Sequence, residues 1–440
     1  MISASVDWTM NQNRYYSKWI WLCVLLAASV IHFGTAALRL NGFNALDFSS
    51  YYAAAASSSL DISPYPFSPE WIDFLVETKD LPERVPRFNS APLWAWLLQP
   101  LAHLPFPYAA VLWLLILGVV VVFCHILLVR IAGYEDWKIT AATLPITATF
   151  GPMFLNLTLG QNAAILLLCA LIMGEALRTR SRFMKILWIP LWIVAVAGKI
   201  FPALWLGARP FLKRPRTLLA ALGLFAMVFL AIAWLKPTVN KSYWQRYFIG
   251  RAQKYTSISA GIDDQSMRAY LDRITQSSRF GFHGIDVRER HRVTWKAPWE
   301  LTDRAVFAAT AALAVLMGIW LIYSWVRSRS RSPDGELYSL ILFVLIFFPN
   351  IQRYNHVLAL PAMAWLWQRG PWGRKLAIAG YALFALSRLN HAWAVYLPTT
   401  LAIPASGFGL FGVMLLFFGT TLSFLKSCGD KPLQAAAPKR

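Results

Sequence analysis

Residues 18–38 read KWIWLCVLLAASVIHFGTAAL, an apolar stretch that decides the class of fold. A helix of this length is long enough to cross the hydrocarbon core of a bilayer. It is too long for the apolar core of a typical signal peptide, and no obvious small-residue cleavage site follows it. The stretch is therefore predicted to be a retained first membrane helix.

The rest of the chain continues this pattern. Of its 440 residues, 57% are hydrophobic and only 14% are charged, a balance typical of a polytopic membrane protein. We predict an all-α fold, a polytopic transmembrane helical bundle of about 11–13 spans, as a single integral membrane domain over residues 1–440. The apolar runs fall near 18–38, 91–104, 108–130, 139–156, 161–178, 184–198, 200–212, 217–236, 303–326, 336–349, 356–368, 374–396 and 403–426.

Four of these runs are short for a span, namely 91–104, 184–198, 200–212 and 356–368. Broken, tilted or re-entrant segments are tolerated at membrane depth only when they are buried in protein or line a cavity. We expect these runs to be elements of that kind. The orientation of 91–104 stays open, because the neighbouring connection at 131–138 is nearly balanced in charge.

The net charge of +21 could suggest a nucleic-acid partner, but the basic residues cluster in short connections between apolar runs. This distribution follows the positive-inside rule and predicts no nucleic-acid binding. We expect a multi-pass protein of the plasma (inner) membrane, in contact with membrane lipids, with a cytoplasmic tail at 427–440. The first loop at 39–90, the long loop at 237–302 and the turn at 349–356 are then extracytoplasmic, and aromatic residues in the two longer loops predict interfacial helices.

Asp47 lies in the stretch LDFSSYY (46–52), soon after the first span. A carboxylate at the mouth of a membrane-embedded cavity is suited to act as a general base. The alternative is that Asp47 only caps a short interfacial helix.

Lys199 lies in AGKIFP (197–202), within a long apolar region that Gly198 and Pro202 interrupt. A charge at bilayer depth costs several kcal/mol unless it is paired or hydrated. A lysine beside a broken helix is suited to bind a phosphate, and a lysine that snorkels from a helix end is an equally good interpretation.

A second break occurs at Gly160-Gln161-Asn162. Its two amides could hydrogen-bond sugar hydroxyls, although capping of the following helix is the favoured interpretation of this motif taken alone. Arg353 and His356 lie between two apolar runs, where they could bind a phosphate or move a proton, or could serve as interfacial anchors.

The stretch IDDQSMRAYL (262–271) in the long outer loop reads as a turn that leads into a helix. Asp264 or Ser266 could cap that helix, and contact with a substrate is an equally good interpretation. All of these polar groups belong to the same predicted face of the membrane. Together they would form a pocket, open to the outside, for an anionic lipid-borne substrate.

In this ordered set of motifs the chain resembles the membrane glycosyltransferases of family 87, in the GT-C superfamily, which are related to polyprenol-phosphate-mannose-dependent mannosyltransferases. The motifs are Asp47-Phe48 with Tyr51-Tyr52 and Pro64-Tyr65, Pro92-Leu93 with Pro100-Leu101 and Leu104-Pro105, Gly160-Gln161-Asn162, Lys199 with Pro202, Gln265-Ser266, and His356 before Leu360-Pro361-Ala362. The chain departs from the family where Asp264 precedes Gln265-Ser266 and where Ala91 precedes Pro92.

The resemblance implies inverting transfer of a hexose, in particular mannose, from a polyprenyl-phosphate sugar donor to a hydroxyl of a lipid or glycan acceptor. Asp47 would be the general base, and Lys199, Arg353 and His356 would stabilise the leaving phosphate. Gln161 and Gln265 would orient the sugar or phosphate. The same motifs place Tyr51, Tyr52, Asn162 and Ser266 among the substrate-binding residues.

No cofactor and no metal site are expected, because the four cysteines form no zinc pattern and no carboxylate cluster is evident. The main rival is a polytopic transporter or flippase of a lipid-linked or anionic substrate. Such proteins also have broken helices and buried charges, but this sequence has no matching pair of interrupted helices in two halves. A non-catalytic lipid-binding or scaffold protein of the cell envelope is the third possibility.

Overall fold

The computed structural model describes residues 3–37, 45–83, 85–179, 181–248, 264–275, 278–283, 290–295, 300–328, 332–349, 351–389 and 405–426. These residues form a helical bundle with one small β-hairpin. The α-helices are α1 Ser3–Ala37, α2 Leu46–Ser59, α3 Pro69–Lys79, α4 Pro92–Leu97, α5 Gln99–Ala102, α6 Phe106–Ile131, α7 Trp137–Thr149, α8 Gly151–Leu159, α9 Ala163–Arg178, α10 Arg182–Gly198, α11 Arg209–Leu212, α12 Pro215–Leu235, α13 Pro237–Ser242, α14 Met267–Thr275, α15 Asp303–Arg327, α16 Pro333–Phe347, α17 Leu360–Trp367, α18 Gly370–Ser387 and α19 Phe408–Lys426.

Five helices in the described part of the chain are long and apolar enough to cross a membrane. They are Trp19–Ala36 within α1, α6, α12, α15 and α19. The predicted all-α polytopic bundle is thus confirmed. The remaining apolar runs are built from shorter helices.

Most of the short apolar runs are broken, as expected. The 91–104 run divides into α4 and α5, and the 200–212 run into a 3₁₀ segment at Phe201–Gly207 followed by α11. A 3₁₀ segment at Arg353–Ala359 likewise precedes α17. The 139–156 run also divides, because Pro152 in the first turn of α8 cannot continue the hydrogen bonding of α7. In contrast, α10 is continuous despite Pro190.

The described cationic residues of the basic connections lie at one end of the bundle, which we call the basic face: Arg178, Arg209, Lys213, Arg369 and Lys426. There the Arg209 guanidinium pairs with the Glu336 carboxylate and donates to the Trp325 carbonyl oxygen at 2.6 Å. These contacts fasten α11 to the end of α15 and the start of α16. At the same face, the Lys426 ammonium lies 4.0 Å from the centroid of the Trp372 ring, at the end of α19 and the start of α18.

The sequence did not predict a β-hairpin in the long loop. Strands β1 Ser278–His283 and β2 Arg290–Trp295 pair antiparallel, with Ser278 opposite Trp295 and His283 opposite Arg290. The backbone N–H of Leu301 donates to the carbonyl oxygen of Thr275 at 3.0 Å. This bond joins the end of α14 to the residue two positions before α15, so the segment that contains the hairpin begins and ends at the same place.

A short buried helix, α2, lies at the end of the bundle opposite the basic face. It packs against α4, α5, α6 and α8, and its residues from Phe48 to Ser58 are buried. The Phe48 ring stacks on Trp113 of α6 with centroids 5.4 Å apart. This packing fixes where α2 begins, and Asp47 lies in its first turn.

Candidate functional site

Asp47 does not cap α2. The N-cap residue is Ala45, which has a left-handed backbone conformation and supplies no side-chain cap. The Asp47 carboxylate instead receives a hydrogen bond from the side chain of Gln161 and lies within electrostatic range of the Lys199 ammonium. It keeps partial exposure to solvent. The geometry therefore argues against the capping interpretation and directs the carboxylate toward other polar residues.

The Gly160-Gln161-Asn162 turn holds the amide that reaches Asp47. Gly160 ends α8 with a φ of +67°, which only glycine adopts readily, and a Cβ at this position would lie 2.8 Å from the Phe48 Cβ. The Gly160 carbonyl oxygen also accepts a 2.8 Å hydrogen bond from Trp113. The turn is therefore locked against the start of α2.

Gln161 connects two residues of α2. Its Oε1 accepts a hydrogen bond from the Tyr51 hydroxyl at 2.7 Å, so its amino group is left to donate to Asp47. The Tyr51 ring packs edge-on against Trp94, with centroids 6.0 Å apart. These contacts hold Tyr51, Gln161 and Asp47 in one orientation.

Lys199 lies immediately after α10, where the backbone turns from helical to extended conformation. The connection before α4 fixes this point, because Ser90 Oγ donates to the Gly198 carbonyl oxygen at 2.9 Å and the Ala91 N–H donates to the Ala197 carbonyl oxygen at 2.9 Å. The Lys199 ammonium then donates to the Tyr354 hydroxyl at 3.4 Å. Lys199 thus lies between Asp47 and the segment that carries Arg353 and His356.

Backbone pairing brings the long outer loop to the same segment. The Gln265 N–H donates to the Ile351 carbonyl oxygen at 2.7 Å, and Asp264 forms an isolated antiparallel bridge with Gln352. A Cβ added at Gly409 would lie 2.8 Å from His356 Cε1 and 2.9 Å from Gln265 Oε1. His356 and Gln265 therefore crowd the same glycine at the start of α19.

Ser266 has the cap role that the sequence allowed. Its hydroxyl accepts a hydrogen bond from the Ala269 N–H at 3.3 Å at the start of α14, and its own N–H donates to an Asp264 carboxylate oxygen at 2.9 Å. Tyr52 also has a structural contact. Its hydroxyl donates to the Leu104 carbonyl oxygen at 2.6 Å, and its ring packs on Phe106. Neither contact joins these two side chains to Lys199.

Several buried polar atoms near these residues have no hydrogen-bond partner within the described structure. They include both ring nitrogens of His356, both polar side-chain atoms of Asn162, the Asn355 Oδ1 and the Trp94 Nε1. Asn162 occupies the N-cap position of α9 but makes no side-chain cap, so the capping interpretation is wrong for this residue. Unsatisfied buried polar groups are costly, so they mark a place where water or a ligand completes the bonding.

Sequence reasoning missed three residues here, Trp94, Tyr354 and Asn355. Tyr354 and Asn355 lie between the two predicted residues Arg353 and His356, and that position was the available signal. Trp94 follows the Pro92-Leu93 motif, and nothing in the sequence distinguishes it from the many other tryptophans.

The surroundings of Asp47 raise the pKa of its carboxyl. Asp47 lies outside the membrane-spanning helices, and burial raises the pKa of its carboxyl above the ordinary value of 3.8, while the Gln161 hydrogen bond and the Lys199 charge oppose that rise. Burial disfavours the charged form, whereas a nearby cation favours it. A carboxylate poised in this way can accept a proton. Among the described residues, no three His, Cys, Asp or Glu side chains gather in one place.

The similarity of the chain to known proteins is found at the level of a family model. No curated protein and no solved structure matches the chain significantly. A family model described as glycosyltransferase family 87 matches residues 90–349. That range contains Gln161, Asn162, Lys199, Gln265 and Ser266, while Asp47, Tyr51, Tyr52, Arg353 and His356 lie outside it. Since the match covers more than half of the chain, this membrane protein belongs to glycosyltransferase family 87.

Proposed function

We propose that this membrane glycosyltransferase moves a hexose, mannose as the first choice, from a polyprenyl-phosphate sugar to a hydroxyl of a lipid or glycan acceptor. The observation that carries the proposal is the position of Lys199. Its ammonium is close to the Asp47 carboxylate on one side and bonded to Tyr354, beside Arg353 and His356, on the other. We propose that this base and two cations, Lys199 and Arg353, border one chamber together with His356.

The proposed reaction uses the Asp47 carboxylate as the base and the cationic residues as the site of the leaving phosphate. Asp47 takes the proton of the acceptor hydroxyl as its oxygen attacks the anomeric carbon. The bond between that carbon and the phosphate oxygen breaks, and the polyprenyl phosphate leaves with the electron pair. Attack from the side opposite the leaving group inverts the anomeric centre. The hydrogen bond from Gln161 orients Asp47 for this step.

The leaving group gains negative charge as its bond breaks. Lys199, Arg353 and His356 are proposed to stabilise that charge, because fixed donors aimed at developing charge need no reorganisation during the reaction. His356 is fully buried, and its ring nitrogens have no partner in the described structure, so they are available to a phosphate or sugar oxygen. Asn162 and Gln265 are proposed to contact the sugar. With the Lys199 ammonium and the Arg353 guanidinium as fixed cations, the proposed scheme uses no metal.

The chamber is proposed to open on the extracytoplasmic side of the plasma membrane. One observation and one general rule support this orientation. The basic connections lie at the other end of the bundle, and such connections favour the cytoplasm.

To test this proposal, membranes that contain the protein are given one labelled donor at a time. The donors are polyprenyl-phosphate mannose, polyprenyl-phosphate glucose and a nucleotide sugar. We expect labelled product from a polyprenyl-phosphate donor only, unaffected by a chelator, with an inverted anomeric linkage. Transfer from the nucleotide sugar alone would contradict the donor assignment. Uptake of a solute or flipping of a lipid by reconstituted vesicles, without glycosylated product, would favour the transporter or flippase instead.

A further inference from the structure

A large apolar cavity lies away from the candidate active site. Its volume is about 450 Å³, and it is bordered by α1, α6, α7, α17 and α18. This volume is in the range of small-molecule sites in proteins. From Leu360 to Trp367 along α17, the cavity wall extends roughly 10 Å at 1.5 Å per residue. The cavity therefore has room for a segment of one hydrocarbon chain.

The histidine in the wall is bonded within the protein at both ring nitrogens. His125 Nδ1 lies 2.8 Å from the Thr147 hydroxyl, and His125 Nε2 lies 2.7 Å from the Thr140 carbonyl oxygen. The wall is therefore mainly apolar. Ile139 and Ile146, which line the cavity from α7, are 36% and 41% exposed. The cavity is thus open along α7 on its outer side, where a bilayer would lie.

One end of the cavity reaches the basic face. There Trp367 Nε1 donates to the Tyr134 hydroxyl at 3.1 Å, and both residues line the cavity. Arg374 Nε donates to the Trp367 carbonyl oxygen at 3.4 Å, and its guanidinium lies 5.8 Å from the centroid of the Trp367 ring. An indole and a phenol at this level are typical of the lipid headgroup region, and the arginine beside them can bind a phosphate.

The other end is closed toward the candidate active site by aromatic rings. Tyr381 lines the cavity, and its ring stacks on Phe150 with centroids 5.7 Å apart. Phe150 in turn contacts Phe384 at 5.5 Å, and Phe384 contacts the His356 ring at 5.3 Å. This layer separates the cavity from His356, so the polyprenyl chain of a donor bound there is not the expected occupant.

We infer that this cavity binds an anionic phospholipid of the leaflet at the basic face, with one acyl chain between α7 and α17 and the phosphate at Arg374. Arg130 and Lys138 lie beside the lining residues Val129 and Ile139, and both are exposed. They lie at the same end of the cavity as Arg374, and with it they outnumber the two exposed carboxylates of the connection between α6 and α7, Glu135 and Asp136. Basic pockets between membrane helices at the cytoplasmic side bind anionic headgroups in this way. The inference does not depend on the sugar or on the donor.

The test measures lipid retained by the purified full-length protein in native mass spectrometry, after equal additions of palmitoyl-oleoyl phosphatidylglycerol and of phosphatidylcholine with the same chains. We expect several-fold preference for phosphatidylglycerol. Ala364→Phe, which fills the cavity from α17, should abolish retention of the preferred lipid, whereas Ala312→Phe on an exposed position of α15 should not.

The charge is tested separately, so that a folding defect of Ala364→Phe cannot decide the result. Arg374→Ala should weaken phosphatidylglycerol binding about fivefold, the effect of one basic residue near an anionic surface, and should leave phosphatidylcholine unchanged. Arg216→Ala, which removes an exposed charge at the start of α12, is the control. Equal retention by Ala364→Phe and the unmodified protein, or displacement of phosphatidylglycerol by polyprenyl phosphate, would overturn the inference.

Discussion

The Asp47 carboxylate and the Lys199 ammonium lie within electrostatic range of each other, although α2 and α10 are far apart in the chain. Each is held by a separate set of bonds. Gln161 and Tyr51 orient the carboxylate, while Ser90 and Ala91 fasten the end of α10 at the lysine. The pair is thus built by contacts between distant segments, and it sets the expected pH dependence of the reaction.

Activity should rise with pH along an acid limb that lies above the ordinary range of an aspartate. Burial raises the pKa of Asp47, and only the deprotonated form can act as the base. Because the Lys199 charge lowers that pKa, Lys199→Met should move the limb to higher pH as well as slow the transfer. The measurement is the pH profile of kcat/KM. Lys213→Met, at an exposed position of the basic face, should leave the limb in place, and an unmoved limb in Lys199→Met would refute the coupling.

Gln161→Leu should lower the transfer rate about tenfold to a hundredfold, because it removes a hydrogen bond to a charged group and frees Tyr51. The matched control is Gln99→Leu. Gln99 Nε2 donates to the Ser58 hydroxyl at 3.2 Å, at the other end of α2. Initial rates of both variants in membranes provide the measurement. Equal rates for the two variants would show that the Gln161 amide has no part in orienting the base.

Gly160→Ala should lower the free energy of unfolding by about 1–3 kcal/mol, because alanine is strained at positive φ. Its Cβ would also meet the Phe48 Cβ at 2.8 Å. Gly223→Ala is the control, since a Cβ in that part of α12 meets nothing within 4 Å, and alanine is the better helix former. Thermal unfolding in detergent compares the two. A Gly160→Ala protein as stable as the control would contradict the locked turn.

Gly409→Ala should slow the transfer on the order of tenfold to a hundredfold while the protein still folds, because small displacements of positioned groups are costly to catalysis. The new methyl group would press on His356 and Gln265. The effect is measured by steady-state kinetics. Gly118→Ala is the control, because a Cβ at that position meets nothing within 4 Å. If Gly409→Ala kept the rate of Gly118→Ala, the positions of His356 and Gln265 would not matter to the reaction.

Much of the bundle could be predicted, because a membrane helix is recognised from a long run of apolar residues in the sequence. The spans at α6, α12 and α15 follow directly from long apolar runs. The β-hairpin was not predicted, since its pairing depends on two short segments rather than on one periodic run. The division of the 139–156 run at Phe150 was missed for a related reason, because a proline inside an apolar run leaves open whether the helix bends or breaks.

The candidate site could be predicted from the sequence only in part. Asp47, Lys199 and Gln161 could be singled out because a polar residue in apolar surroundings is conspicuous in sequence. Their mutual contacts could not be foreseen, since they depend on the packing of α2, α8 and α10. Ser266 and Tyr52 were also predicted to bind substrate. In the structure the Ser266 hydroxyl caps α14, and the Tyr52 hydroxyl donates to the Leu104 carbonyl oxygen.

The role of Asp47 as the base is tested most directly by the rate of sugar transfer by Asp47→Asn in membranes supplied with labelled polyprenyl-phosphate mannose. The exposed carboxylate of Asp73 on α3 provides the control, as Asp73→Asn. We expect a loss on the order of a hundredfold to ten-thousandfold for Asp47→Asn, and an unchanged rate for Asp73→Asn. Transfer by well-folded Asp47→Asn at the rate of the unmodified protein would contradict the assignment of Asp47 as the base.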